Sequence, residues 1–322
     1  MVLVLGGFGA LPGETASGPE RATEGAASQV GWSYLHFHAR RLMVGEIDAY
    51  VSVSSIPAEA VSPPRPAQWS ERLPPRQEVL LVSVETRLDP TFGPPLRLVD
   101  RSWLVADSLP GRKPRAGSTP LLALWQVRSQ EGGDEYEKTY WFTRDGVHRL
   151  RKTPATSEES GRAPERWSDL RRSFYPYSGG GRDCTGVGTP VALLLLSSRR
   201  DRPDPETLRH MCIFDRKELY DVRIGQAAAG LADFDVGGVK GYPPGRPRVA
   251  GLAFEPRSLR GADGKEFSFL GISGDFEVVF DLDNGIPLRI KGSVPGLGAT
   301  ELALQEVRLS RARPSRPREP VR

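Results

Sequence analysis

The sequence predicts a mainly β protein: a strongly curved antiparallel sheet, an open or half barrel, with one apolar helix against its concave side. Three observations predict it. Apolar residues recur at every second position through most of the chain, turn sequences stand between these runs, and one stretch, residues 191–196, is apolar all round. Strict alternation marks strands with one face on a core and the other toward solvent or a cavity. A run apolar on every side belongs to a helix buried on most sides.

The elements follow in order. Leu35, Phe37 and Ala39 alternate with Tyr34, His36 and His38; Ile47, Ala49, Val51 and Val53 alternate with Asp48, Tyr50, Ser52 and Ser54. Leu80, Val82 and Val84 share one face of residues 78–87, and Ile286, Leu288 and Ile290 alternate with Pro287, Arg289 and Lys291. Further strands are expected at 96–106, 121–129, 135–143, 147–152, 208–214, 219–224, 249–254, 267–272, 276–282 and 301–309. Asp283-Asn284-Gly285 is expected to be a type I′ hairpin turn, since Asn-Gly tolerates two positive φ angles. Asp145-Gly146 and Asp215-Arg216-Lys217 are expected to close two more hairpins. The helix begins near Pro190 and ends by Arg200. A shorter helix is expected around Trp167, Leu170 and Phe174, whose spacing is helical.

Residues 56–76, 107–118 and 153–165 read as long loops, and 225–265 carries nine Gly and four Pro. No break separates two apolar cores. The expected organisation is a truncated signal-like segment (1–18), a flexible spacer (19–29), a single β-rich domain with Pro/Gly-rich insertions (30–309) and a disordered basic tail (310–322). The first eleven residues read as the apolar region of an export signal without its basic start.

Charge narrows the partners. The chain has 44 Lys+Arg against 40 Asp+Glu, and residues 308–322 hold six Arg and one Glu, so the rest carries −1. A nucleic-acid-binding body needs a concentrated basic patch, so none is expected. The longest apolar runs fall far short of the ~20 residues of a membrane-spanning helix. Arg outnumbers Lys 37 to 7, which fits a GC-rich genome better than a demand for guanidinium. The Arg-rich tail solvates the chain end or grazes anionic lipid headgroups.

Two cysteines, Cys184 and Cys212, make an even count. They fit a disulfide in an oxidising compartment, worth ~3–4 kcal/mol by loop closure, and the expected location is the periplasm or cell envelope. Two unpaired buried thiols are the alternative.

Chemistry-bearing patterns are few. His36-x-His38 puts two imidazoles on one strand face, but no third metal ligand is evident. Residues 281–285 superficially resemble a calcium loop, yet the spacing is one residue short and the closing Glu is absent. The glycines before the helix, 179–181, 186 and 188, lack the Gly-Lys-Ser/Thr of a phosphate loop. No Gly-x-Ser-x-Gly elbow occurs. The acidic pairs Glu135/Glu137 and Glu158/Glu159 read as solvated charge. No catalytic residue, metal ligand or cofactor is expected.

Several landmarks resemble one family. They are Tyr136-Glu137-Lys138-Thr139-Tyr140-Trp141-Phe142 with Gly146-Val147, Thr189-Pro190-Val191-Ala192-Leu193-Leu194, the hairpin from Phe214 to Ile224, and the closing run from Gly274 through Phe280, Asp283, Ile286–Ile290 and 296–304. Together they resemble the bacterial exported domain of unknown function 3108 (DUF3108) across residues 30–309. Val278, Val279 and Phe280 stand where members often carry a Trp, and the Pro-rich insertions are a second departure. The resemblance implies a secreted or periplasmic curved sheet with a helix near its open face, and brings no catalytic residues.

The functional expectation is a non-enzymatic envelope protein binding an apolar or amphipathic small molecule or lipid in the concavity. The alternative is a structural or assembly factor acting on another envelope protein through its Pro-rich loops and basic tail. An unrecognised hydrolase is the third class.

Overall fold

The computed structural model describes residues 30–41, 44–57, 60–61, 78–105, 121–130, 134–143, 145–177, 187–198, 210–227, 235–259 and 266–310. The strands are β1 (Trp32–Arg41), β2 (Gly45–Pro57), β3 (Glu78–Pro90), β4 (Leu96–Val105), β5 (Leu121–Gln130), β6 (Tyr136–Phe142), β7 (Gly146–Thr153), β8 (Asp169–Pro176) and β9 (Val187–Gly188). After the helix α1 (Val191–Ser197) come β10 (His210–Asp215), β11 (Glu218–Gln226), β12 (Val249–Ser258), β13 (Ser268–Phe269), β14 (Ile272–Asp281), β15 (Pro287–Val294) and β16 (Gly298–Leu309). All belong to one sheet in the order β8-β7-β6-β5-β4-β3-β2-β1-β16-β15-β14-β12-β11-β10-β9, with β13 folded onto β14. The ladder is not closed: β8 and β9 end the path.

Alternation explains the core. Leu35, Phe37, Ala39, Ile47, Ala49, Val51 and Val53 are all buried, as are Leu302, Leu304 and Val307 from the far end of the chain. These concave-face residues form one continuous apolar cluster with Phe254, Phe276, Ile290 and the helix. Every residue of α1 is buried, so each leucine contributes ~1.5–3 kcal/mol of apolar burial. Its C-terminal end is satisfied locally, because Ser197 Oγ and Ser198 Oγ donate to the Leu194 carbonyl at 2.8 and 2.7 Å.

The sheet curls until its two ends meet through side chains. Phe214 of β10 packs against Tyr140 and Phe142 of β6 and Tyr175 of β8, with ring centroids 5.6–5.7 Å apart. Tyr140 Oη donates to the Arg216 carbonyl at 3.1 Å. A smaller cluster, Val61, Val79, Trp103 and Trp141, covers part of the outer face.

Four expectations need correction. Residues around Trp167, Leu170 and Phe174 form no helix: Asp169–Pro176 is β8, paired to β7 in full register, and only Pro164–Arg166 makes a single 3-10 turn. The sheet is not wholly antiparallel, because β9 runs parallel to β10; a chain that crosses over through a helix returns in the same direction. Residues 267–272 are not one strand. Leu270 (φ 50°) and Gly271 (φ 85°) form a two-residue turn that folds Phe269 onto Ile272, the double positive φ of a type I′ hairpin.

The turn at 283–285 is real but is not type I′, since only Gly285 has positive φ there, at 64°. The Asp281 carboxylate accepts the Asp283 N–H at 2.9 Å and Asn284 Nδ2 at 2.6 Å. Gly285 N–H closes on the Asp281 carbonyl at 2.8 Å. That capping holds Asn284 in ordinary backbone space and makes a wider turn.

Candidate functional site: a polar row inside the curved sheet

One cross-strand row crosses nine strands on the concave face. Val307, Leu35, Val51 and Val84 are successive Cα partners on β16, β1, β2 and β3. The row continues through Asp100 on β4, Gln126 on β5, Lys138 on β6, Arg151 on β7 and Arg171 on β8. It is apolar for four strands and polar for five. The flanking row is mixed in the same way, running Ser102, Leu124, Tyr140, Arg149 and Ser173 from β4 to β8.

The polar half borders a partly open cavity of about 80 Å³, lined by Asp100, Ser102, Gln126, Tyr136, Thr189 and Asp215 among others. Thr189, just before α1, sits 3.4 Å from Ser102 with the two hydroxyls facing. Burial pushes the Asp100 carboxyl up to about 7, helped by the negative charge of Asp215 and opposed by a hydrogen bond from Gln126. Its Oδ1 is buried without a partner. Burial likewise raises Asp215 to about 6, against the pull of Arg216 and the Ser268 N–H, which Asp215 accepts at 2.8 Å. Lys138 moves the other way, down to about 7, through burial first and then the like charges of Arg151, Arg149 and Arg216. Carboxylates and a lysine titrating together near neutrality are unusual outside functional sites.

The aromatic rings hold the cations in place. Lys138 Nζ lies 3.5 Å from the Tyr136 centroid, and Arg151 Cζ lies 5.8 Å from the same ring. Arg149 Cζ stands 5.2 Å from the Tyr175 ring and donates through Nη2 to Ser173 Oγ at 3.1 Å. Chemically the arrangement can bind an anion, accept or deliver a proton through Asp100, and pass polar atoms into the cavity.

The residues singled out from sequence lie elsewhere. His36 Nε2 and His38 Nδ1 both contact Asp48 Oδ1, at 2.6 and 3.1 Å, and His36 stacks on Tyr50. Among the described residues no group of three or more His, Cys, Asp or Glu could hold a metal ion. Glu135 accepts from Ser160 Oγ and the Gly161 N–H, Glu137 pairs with Lys152 at 3.1 Å, and Glu159 accepts the N–H groups of Ala155 and Ser168. These contacts order a loop and the outer sheet face. Glu158 is exposed.

Cys184 lies outside the described residues, as do 1–29 and the tail 311–322. Cys212 is in β10, its Cα paired with that of Val187. Val187 follows Cys184 by three positions, about 10 Å of extended chain, so the register leaves a Cys184–Cys212 bridge within reach.

Asp100, Gln126, Lys138, Arg149 and Arg151 belong to no sequence motif. A signal existed: each falls on the inward parity of its strand, as Asp100 does between Leu98 and Leu104 and Lys138 between Tyr136 and Tyr140. What alternation cannot supply is the register that lines them up.

Fold and site together define a curled, open β-sheet protein with a charged pocket in its concavity. No family model matches the chain, and no curated protein is significantly similar to it. Among solved structures it is similar to a β-barrel-like protein of domain of unknown function DUF1849 from Brucella abortus. That similarity has a TM-score of 0.40 at 9% identity over 88% of this chain and 99% of that one. Among the described residues no helix is long and apolar enough to cross a membrane.

Proposed function

We propose that this chain is an exported, non-enzymatic binding protein of the bacterial cell envelope, akin to DUF3108 domains, that holds an amphipathic molecule at the concave side of its sheet. The carrying observation is the change of chemistry along one row, from Val84 to Asp100 and on to Arg171. An interior face made only for folding would stay apolar, because buried charge is costly. The apolar half of the concavity is filled by α1 and the aromatic core, and the remaining cavity of about 80 Å³ is well below the ~300–1,000 Å³ of a drug-sized pocket. The polar end of the ligand therefore meets the polar half of the row, while its apolar part lies at the β8 rim against Tyr175 and Tyr177, which are only partly buried at the edge of the core.

Native mass spectrometry of the protein after mild extraction from the envelope tests this reading. A non-covalent adduct supports it; bare protein that also binds no hydrophobic dye overturns it.

A second reading, an assembly factor docking another envelope protein, is favoured by β8. Among the described strands β8 pairs on one side only, and its outer face leaves Leu170 55% and Phe174 47% exposed. Pull-downs from envelope extracts would compare the full chain with F174E and with a chain ending at Leu309. Loss with F174E supports strand docking, and unchanged recovery from the shortened chain removes the tail.

A further inference from the structure

Three cations, Lys138, Arg149 and Arg151, cluster on the concave face of β6 and β7. Lys138 and Arg151 are direct cross-strand partners, and Arg149 stands opposite Tyr140 one inward position away. Like charges directly opposed on one sheet face destabilise it. None of the three forms an ion pair with a carboxylate among the described residues, and their contacts are the two tyrosine rings and Ser173. Arg149 is only 9% exposed, and the Nε atoms of Arg149 and Arg151 are buried without an acceptor. Folded proteins rarely leave such donors empty, and a bound anion is one thing that fills them.

The nearby acids offset the cluster only in part, Asp215 and Lys138 favouring each other's charged forms without an ion-pair contact. Asp215 is committed to the Ser268 N–H and Asp100 to Gln126, and both line the cavity, whose wall does not include the three cations. Near neutrality Asp100 is partly protonated, so it can donate to an oxyanion rather than repel it.

We propose that Lys138, Arg149 and Arg151 form a subsite for a phosphoryl oxyanion, the head group of the amphipathic ligand. This rests on the binding reading above for the rest of the ligand. Two guanidinium forks and an ammonium that a bound anion would hold protonated offer up to three charges and many donors, which suits a dianion with three terminal oxygens. A carboxylate brings one charge and two oxygens, leaving cations unanswered. The Tyr136 ring, shared by Lys138 and Arg151, and the Tyr175 ring under Arg149 hold the cations on one face. The shared chemistry is the phosphoryl group, whether it comes on a lipid or as a free phosphate ester.

Calorimetric titration of the full chain with four probes tests this: short-chain phosphatidic acid, a fatty acid of similar length, a neutral alkyl glycoside and inorganic phosphate. Phosphatidic acid is expected to bind most tightly, and K138M and R149K are each expected to weaken it about tenfold to a hundredfold. R172Q, on the exposed outer face of β8, serves as the control and should change it little. Thermal melts confirm that each variant is folded. Equal binding of all three amphiphiles, unaffected by K138M and R149K, overturns the subsite while leaving amphiphile binding intact. Phosphate binding that K138M abolishes, without binding of any amphiphile, supports the subsite with a free anion and overturns the amphipathic reading. No binding of any probe overturns both.

Discussion

Replacing Lys138 with methionine is expected to stabilise the ligand-free protein. The ammonium is held down from 10.5 to about 7 by burial and by Arg151, Arg149 and Arg216. At about 1.4 kcal/mol per pH unit, that fall sets a ceiling of roughly 5 kcal/mol on the cost of folding with this lysine at neutral pH. The side chain is only partly enclosed, so screening and relaxation reduce the cost to roughly half or less. Methionine also forfeits the contact with the Tyr136 ring, worth about 0.5–2 kcal/mol. It further withdraws positive charge from Asp100 and Asp215, which Lys138 helps to ionise. The net expectation is about 1–2 kcal/mol of stabilisation, or roughly 2–6 °C in Tm for a domain of this size.

The pH dependence of that gain is specific. Because the folded-state value lies below the unfolded one, the lysine's contribution to stability is present above pH 10.5 and lost as pH falls through about 7. The advantage of K138M should therefore be largest at pH 7 and below, and shrink steadily toward pH 10. Thermal melts of both proteins across pH 6–10 measure it. A K138M variant less stable than wild type at pH 7 would mean that the lysine is already satisfied without a ligand, and the functional reading would lose its energetic basis.

Three further outcomes are expected. Asp100 and Asp215 are raised from 3.8 to about 7 and about 6, so their contribution is full below pH 4 and lost as pH rises through 6–7; urea unfolding at pH 5 and 8 should show D100N flattening this loss by about 1–3 kcal/mol. Gly285→Ala should cost about 2–4 kcal/mol, because a Cβ there would collide with the Ser198 carbonyl at a left-handed φ that itself costs ~1–2 kcal/mol; a chemical melt within 0.5 kcal/mol of wild type, roughly the scatter of neutral surface changes, would disprove the turn–helix contact. Thiol counting on denatured, unreduced protein from the envelope should find no free thiol if Cys184 and Cys212 are bridged, and two free thiols would remove both the bridge and much of the case for export.

What the sequence made legible follows a physical divide. The strands β1 to β3 and β14 to β16 could be read from alternation because their two faces meet different media, and the register-independent core Leu35, Val51, Val84 and Ile290 follows from parity alone. The helix was legible because Val191–Leu196 is apolar on every side. Strand β8 was misread because Leu170 and Phe174, which mimic a helical stripe with Trp167, point outward and exposed, while its inward face carries Arg171 and Ser173. The polar row was invisible for a different reason. Asp100, Gln126, Lys138, Arg151 and Arg171 are separated by 12 to 26 positions in the chain, and only the hairpin registers make them neighbours. A charged residue on inward parity is a usable warning, but one strand at a time it resembles an ordinary interruption.

The central claim, that the polar half of the concave face holds the head of an amphipathic ligand, is tested most directly by photo-crosslinking. A short-chain phosphatidic acid carrying a photoreactive group near its head would be bound to the full chain, irradiated, and its attachment sites mapped by peptide mass spectrometry. Attachment is expected on the inward residues of β6 to β8, chiefly Tyr136, Tyr175 and Ser173, and should be lost in K138M. Attachment confined to the outer face or to the histidine pair of β1, or undiminished in K138M, would contradict it.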